Sequence, residues 1–157
     1  MWGIAIGRNS KQFLIVSVYK HGMATITRFE DLEVWQTARA FAESIFHLYS
    51  DSDLFSRDYK LKDQINGASG SIMDNIAEGF ERSGRKEFLQ FLAIAKGSVG
   101  EVKSQLYRAL DRKYITEEIF NSTYQKADEL GKKIGGFMNY LNKSTFKGTK
   151  FKGRSDS

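Results

Sequence analysis

The densest run of potentially reactive side chains is SIMDNIAEGFERSGRKEFLQF, from Ser71 to Phe91. Within it Ser71, Asn75, Glu78 and Arg82 recur at three- and four-residue steps. At about 100° per residue they fall within about 60° of one another on a helix, beside the apolar arc into which Gly79 points. A hydroxyl, an amide, a carboxylate and a guanidinium on one stripe can bind a polar ligand. They can equally join a helix to a second surface through hydrogen bonds in place of plain burial. Gly67, Ala68, Ser69 and Gly70 allow close backbone approach on the same helix, and Gly97, Ser98, Glu101 and Gln105 answer at comparable spacing further along. As an i, i+4 pair, Glu78 and Arg82 stabilise a solvated helix by only about 0.2–0.5 kcal/mol. The stripe is therefore assigned to helix packing or subunit assembly: Ser71, Asn75, Glu78, Gly79 and Arg82, with Gly97, Ser98 and Glu101.

Catalytic readings of the same residues fall short. Glu78 and Glu101 could form an acid/base pair across two helices, but no nucleophile, metal ligand set or pocket signature accompanies them. A di-iron bundle needs Glu-x-x-His on two helices, whereas Glu43 and His47 are four apart and occur once. The chain has no cysteine and two histidines, which removes disulfide frameworks, thiolate chemistry and most zinc sites. GSVGEVKS falls in the middle of a helical pattern, where its glycines suit packing and not a phosphate cradle. No enzyme activity, metal or cofactor is expected.

The elements that position these residues follow from length and periodicity. A chain of 157 residues builds one domain with a real core. Proline is absent, so nothing interrupts long helices. Apolar residues at three- and four-residue steps predict four of them: 32–50, with Asp31 as N-cap; 59–81; 85–112, capped by Ser83; and one opened by Thr116 that runs to about residue 142. SDSDLFSRD reads as the loop between the first two. Gly131, Gly135 and Gly136 weaken the fourth helix by about 1 kcal/mol each relative to alanine. Short connections imply antiparallel neighbours, so the expected fold is all-α, an up-down-up-down four-helix bundle over 29–142.

The formal charge of +5 is unevenly spread. Residues 1–28 hold four basic residues and no acid, and 143–157 hold five basic residues and one acid. The body from 29 to 142 carries fifteen basic and eighteen acidic residues, so the basic sequence pI belongs to the ends. Residues 1–28 read as an extension outside the core. The run Phe13 to Val18 is too short for a signal h-region or a membrane span. Met23 is the expected natural start, with a short extra strand in the preceding residues as the alternative. The closing KSTFKGTKFKGRSDS is too polar to bury a core and reads as a disordered basic tail. A cytoplasmic location without membrane attachment is expected.

RFEDLEVWQTAR, LKDQINGASGSIMDNIAEGFERSGRKEFLQFLAIAKGSVGEVKSQL and the helix after YIT closely resemble the four-helix-bundle proteins first noticed as open reading frames within intervening sequences of 23S ribosomal RNA genes. The resemblance spans about Phe29 to Leu141 and includes N-I-A-E-G, Asn75 to Gly79, followed by G-S-x-x-E, Gly97 to Glu101. It implies a bacterial bundle. Related bundles, including the accessory variability protein of diversity-generating retroelements, look like homopentamers, and that accessory protein binds nucleic acid and a reverse transcriptase through basic surface. Where the family loop usually carries a proline, this chain has Leu54-Phe55-Ser56, and its acidic body departs from a basic surface.

Two roles follow. The first is a nucleic-acid-associated assembly protein, with RNA or DNA phosphates contacted by Arg85, Lys96 and Lys103, which lie within about 20° on one helix flank, and by Lys147, Lys150, Lys152 and Arg154 of the tail. Such contacts bind without reading bases. The second is a scaffold for a protein partner, with Trp35, Tyr107 and Tyr114 as anchors. Steep salt dependence marks the first and not the second.

Overall fold

The computed structural model describes residues 15–19 and 22–143. Four long helices carry the fold: α1 Glu33–Ser50, α3 Tyr59–Glu81, α4 Arg85–Asp111 and α5 Glu117–Lys143, with a five-residue helix, α2 Asp53–Arg57, between the first two. A hairpin precedes them, β1 Ile15–Tyr19 paired antiparallel with β2 Gly22–Ile26, in a register that sets Val18 opposite Met23. The backbone of this segment thus forms paired strands, with Met23 inside β2. Ile26, at its end, is buried with the helical core although residues 1–28 were expected to remain outside it.

Each long helix buries the stripe that its sequence spaces. In α1, Val34, Ala38, Phe41, Ile45 and Tyr49 face inward. Leu61, Ile65, Ile72 and Ile76 of α3, Phe88, Leu92, Ala95, Val102 and Leu106 of α4, and Ala127, Leu130 and Ile134 of α5 complete a core whose members are nearly all inaccessible to water. At about 1.5–3 kcal/mol for each fully buried large apolar side chain, this stripe and not intrinsic helix propensity holds the elements together.

Neighbouring helices run in opposite directions. Tyr49 near the end of α1 donates to Asn66 near the start of α3. Ser71 meets Ser98 and Gln64 meets Arg108 across α3 and α4. Lys103 meets Asp128, and Phe88 packs edge-on against Phe137 across α4 and α5. Lys133 of α5 reaches back to Glu33 at the start of α1.

The helix ends differ from expectation at three places. Asp31 was expected to cap α1 but closes a 3-10 turn, Phe29–Asp31; Leu32 takes the cap position with no side-chain bond. Its extended backbone seats the Leu32 side chain in the core, at 2% exposure, so burial wins over capping. The acidic loop folds as α2 because Ser52 accepts a hydrogen bond from the Phe55 N–H and Phe55 is fully buried, stacked on Tyr114. Ser83 does not cap α4. It ends α3 in the left-handed region, φ 60°, with its N–H on the Phe80 carbonyl, and Gly84 supplies the extended residue before α4. A residue cannot terminate one helix in that conformation and open the next in an extended one. Thr116 caps α5 as expected, accepting from the Ile119 N–H at 3.2 Å.

Candidate assembly and binding surfaces

The polar stripe of α3 lies on the flank that faces α4. Ser71 Oγ and Ser98 Oγ are 3.1 Å apart, and Asn75 Nδ2 donates to both the carbonyl and the hydroxyl of Ser71, at 2.7 and 2.9 Å. Two turns on, a Cβ on Gly79 would stand 2.7 Å from Phe91 Cβ and 2.8 Å from Phe88 Cδ2, so only glycine admits α4 at this distance. Ser71, Asn75, Gly79 and Ser98 therefore meet inside one subunit. Gln105 is buried in α4, and its Oε1 has no partner among the described residues.

The charged members of the stripe behave differently. Glu78 and Arg82 form an i, i+4 pair at 2.7 Å with both side chains half exposed, and the guanidinium lies over the Phe91 ring. The Glu78 carboxylate holds the Arg82 guanidinium above its ordinary range. Glu101 is exposed on α4. The Ser71–Ser98 contact places Glu78 level with Phe91, ten residues or about 15 Å along the axis from Glu101. The two carboxylates do not form a pair.

Gly97 faces open space: apart from its own helix backbone and chain neighbours, no atom of the described residues lies within 4 Å of a Cβ built there, and the same holds for Gly67, Gly70 and Gly100. On α4 the outward face reads Ala93, Gly97, Gly100, Ser104, all exposed, with Ile94 beside them at 52% exposure. Steps of four, three and four residues make this a small-residue seam of the type that lets two helices approach closely. Glycine spacing hinted at the seam in the sequence, but its outward aim required the third dimension.

The basic flank is largely engaged. Lys103 Nζ sits 3.1 Å from Asp128 Oδ1 and 4.6 Å from the centre of the Tyr124 ring. The hydrogen bond to Asp128 raises the Lys103 pKa, while Lys132 first and Lys103 second lower that of Asp128. Arg85 is half-buried and has interactions of its own. Lys96 is exposed, its Nζ lying 3.6 Å from where a Cβ on Gly135 would be. The flank is thus one exposed cation beside two engaged ones, because the stripe on a single helix does not show the carboxylate that α5 brings to it. Lys147, Lys150, Lys152 and Arg154 lie outside the described residues.

Of the proposed anchors, Trp35 packs edge-on against Phe29 beneath Arg39, and Tyr114 stacks on Phe55 while donating to Asp58 at 3.1 Å. Both serve the fold. Tyr107 is half exposed against Phe120 and Tyr124. The sequence reading missed Phe46, Leu54, Tyr59 and Ile119, which are exposed by 43–69%. With Tyr107 they lie where α1 and α4 end and where α2, α3 and α5 begin. Among the described residues, five of the six exposed large hydrophobic ones are consequently at one end of the bundle.

Glu43 and His47 form an exposed pair at 3.2 Å, and among the described residues no group of three or more His, Cys, Asp or Glu could hold a metal ion. No helix of the described residues is long and apolar enough to cross a membrane.

Fold and surfaces together define an antiparallel four-helix bundle with an exposed small-residue seam. Residues 30–136 match the family described as 23S rRNA-intervening sequence protein, and the chain belongs to that family. It is also similar to a protein of unknown function from the S23 ribosomal protein family of Bacteroides thetaiotaomicron VPI-5482, known from a crystal structure at 1.70 Å resolution. The identity is 26% and the TM-score 0.60, over 67% of this chain and 97% of that one. No curated protein matches the chain.

Proposed function

We propose that the protein is a non-enzymatic assembly protein, a homo-oligomer of four-helix bundles that associates with nucleic acid. The observation that carries the assembly is the outward face of α4, where Gly97 and Gly100 have open space above them and Ile94, on the adjoining side of the helix, is half exposed. A small-residue seam is destabilising in a helix that faces only water, since each glycine costs about 1 kcal/mol relative to alanine. A second helix seated on it offsets that cost by close packing. The pentamer implied by related bundles is the expected size.

Charge supports the nucleic-acid part. The surplus of basic residues lies in 1–28 and 143–157, the tail interleaves Lys147, Lys150, Lys152 and Arg154 with Phe146 and Phe151, and a ring multiplies each weak contact by effective concentration. The test combines light scattering with RNA binding by the full chain over a salt series. A pentameric mass that falls to that of a monomer in Gly97→Leu/Gly100→Leu, with helicity unchanged, supports the seam. Affinity falling steeply between roughly 50 and 200 mM salt supports phosphate contact. A monomeric wild-type chain, or binding absent at every salt concentration, overturns the corresponding half.

The apolar end favours a second reading, a scaffold for a protein partner. Phe46, Leu54, Tyr59, Tyr107 and Ile119 would then be its anchors, with binding that survives salt.

A further inference from the structure

Each pair of neighbouring long helices forms a groove, and the grooves differ in what bridges them. Arg108 donates to Gln64 across α4 and α3, Lys103 meets Asp128 across α4 and α5, and Lys133 meets Glu33 across α5 and α1. The α1–α3 groove is bridged by the neutral bond from Tyr49 to Asn66. Toward solvent it presents Trp35, Ala42 and Phe46 of α1 and Met73, Ala77 and Phe80 of α3, half-buried except for Phe46, which is 47% exposed. Its two cations, Arg39 and Lys62, lie over Trp35 and Tyr59 of the same face. The groove is therefore an apolar face of the bundle without cover in its own chain.

The occupant that matches it is the outward face of α4 in a second copy. With the helices at the corners of a square and about 100° per residue, that face points about 120° away from the α1–α3 groove. A subunit in a ring of five or six meets its two neighbours at about this angle, through two different surfaces. Where the ring axis runs along the bundles, equal levels meet. The Ser71–Ser98 and Tyr49–Asn66 contacts put Gly97 level with Met73, and Gly100 level with Phe46. Phe46 then stands over the gap that Gly97 and Gly100 leave. Charge agrees with the match. The same docking sets Lys96 beside α1 of the neighbour, and Arg108 and Lys86 beside its α3. At those levels stand Glu43, Asp63 and Glu81, all exposed, and Glu101 comes opposite the neutral Asn66. Within one chain Glu43 pairs with His47 alone, Arg108 with the neutral Gln64, and Lys86, Lys96, Asp63 and Glu81 form no ion pair among the described residues.

We infer that the α1–α3 groove is the seat of a neighbouring copy's α4, with Phe46 packed on Gly97 and Gly100 and with Lys96, Arg108 and Lys86 facing Glu43, Asp63 and Glu81. This rests on the assembly half of the reading given above and names the surface that meets the α4 seam. Because the two surfaces are different, the contact runs head to tail and closes into a ring; it does not pair two copies face to face.

The test uses the full chain, which has no cysteine of its own to interfere. F46C/G100C is treated with a short bismaleimide and run on a denaturing gel beside F46C and G100C alone. The double variant is expected to give a ladder that ends at the mass of the ring, since each copy offers one thiol to each neighbour. Either single variant is expected to give no cross-link. Charge reversal reads the same contact without touching the core. K96E is expected to weaken association about threefold or more, as an exposed attraction becomes a repulsion, and E43K/K96E to return it to within about twofold of the wild type. Cross-linked dimers from a single variant overturn the placement and leave the assembly reading standing. So does an oligomeric chain in which the double variant fails to cross-link and E43K fails to rescue K96E. A wild-type chain that is monomeric by light scattering overturns both.

Discussion

The two ends of the bundle close their helices by different means. At the end holding α2, where Lys113 also turns through the left-handed region at φ 58°, side-chain ties are added to the backbone turn. Asp58 accepts from the Leu61 N–H at 3.1 Å, capping α3, and also from Arg112 and the Tyr114 hydroxyl, while Ser52 caps α2 and donates to the Tyr114 carbonyl. The turn before α3 is thereby tied to the turn before α5. At the other end the α3–α4 connection is three residues, Arg82 to Gly84, and it closes through backbone geometry: Ser83 in the left-handed region and Gly79 against two phenylalanines. Polar ties leave room for bulky side chains to stand out, and five exposed hydrophobic residues do so there. At the backbone-closed end the described aromatic residues pack inward, Phe80 on Phe88 and Phe88 on Phe137.

Substitutions separate the two designs. Phe55→Ala empties the centre of the side-chain-closed end, where Phe55 is fully buried between Tyr49 and Tyr114. A loss of about 3–5 kcal/mol in urea unfolding is expected. Gly79→Ala tests the other end: its methyl would stand within 2.8 Å of two phenylalanines, and the overpacking should cost about 1–3 kcal/mol. If Gly79→Ala is neutral, α3 and α4 do not approach as closely as the contact with Phe91 requires.

Asp58→Ala removes the α3 cap and should cost about 0.5–2 kcal/mol through that bond alone. It carries a pH signature as well. The Leu61 N–H above all, then the Tyr114 hydroxyl and Arg112, hold the Asp58 carboxyl below its ordinary value. A depressed folded-state pKa contributes stability that is complete above the unfolded-state value and disappears as pH falls through the folded one. Wild type and Asp58→Ala should therefore differ in melting temperature at neutral pH and converge below about pH 4, where a free aspartate takes up its proton. A constant gap down to about pH 2, below the ordinary aspartate range, would assign the effect to packing. The smallest change is expected from Glu78→Gln, about 0.2–0.5 kcal/mol and erased by salt, because that pair is exposed and local. A larger, salt-resistant loss, or a change in oligomeric mass, would move Glu78 into a subunit interface.

What the sequence disclosed follows the range of the interaction involved. Long helices with a continuous apolar stripe were legible almost to the residue, α3 from Tyr59 to Glu81 among them, because many core contacts agree on one period. Helix α2 was not, since a five-residue helix with one buried side chain has no period to read. Ser83 and Asp31 are good capping types in the wrong backbone state, a matter settled by the turns on either side. Ser71 and Asn75 lie at the α3–α4 contact with Ser98, whereas Glu78 and Arg82 of the same stripe are half exposed and Gly97 and Glu101 face outward on α4. The basic flank failed for a different reason: Asp128 lies on another helix 25 positions away from Lys103. The apolar end was not legible as a cluster: Tyr107 was named alone, and Phe46, Leu54, Tyr59 and Ile119 come from four other helices with no shared period in the chain.

The even number of long helices has one more consequence. Because the chain enters and leaves the bundle at one end, through neighbouring helices joined by Lys133 and Glu33, its connectivity can be rewritten as a circular permutation. A linker from the end of α5 to the hairpin and new termini opened at Ser83 leave every helix pair in place, and they remove the requirement that a serine hold a positive φ. Such a chain would keep the side-chain-closed end intact and open its backbone between α3 and α4.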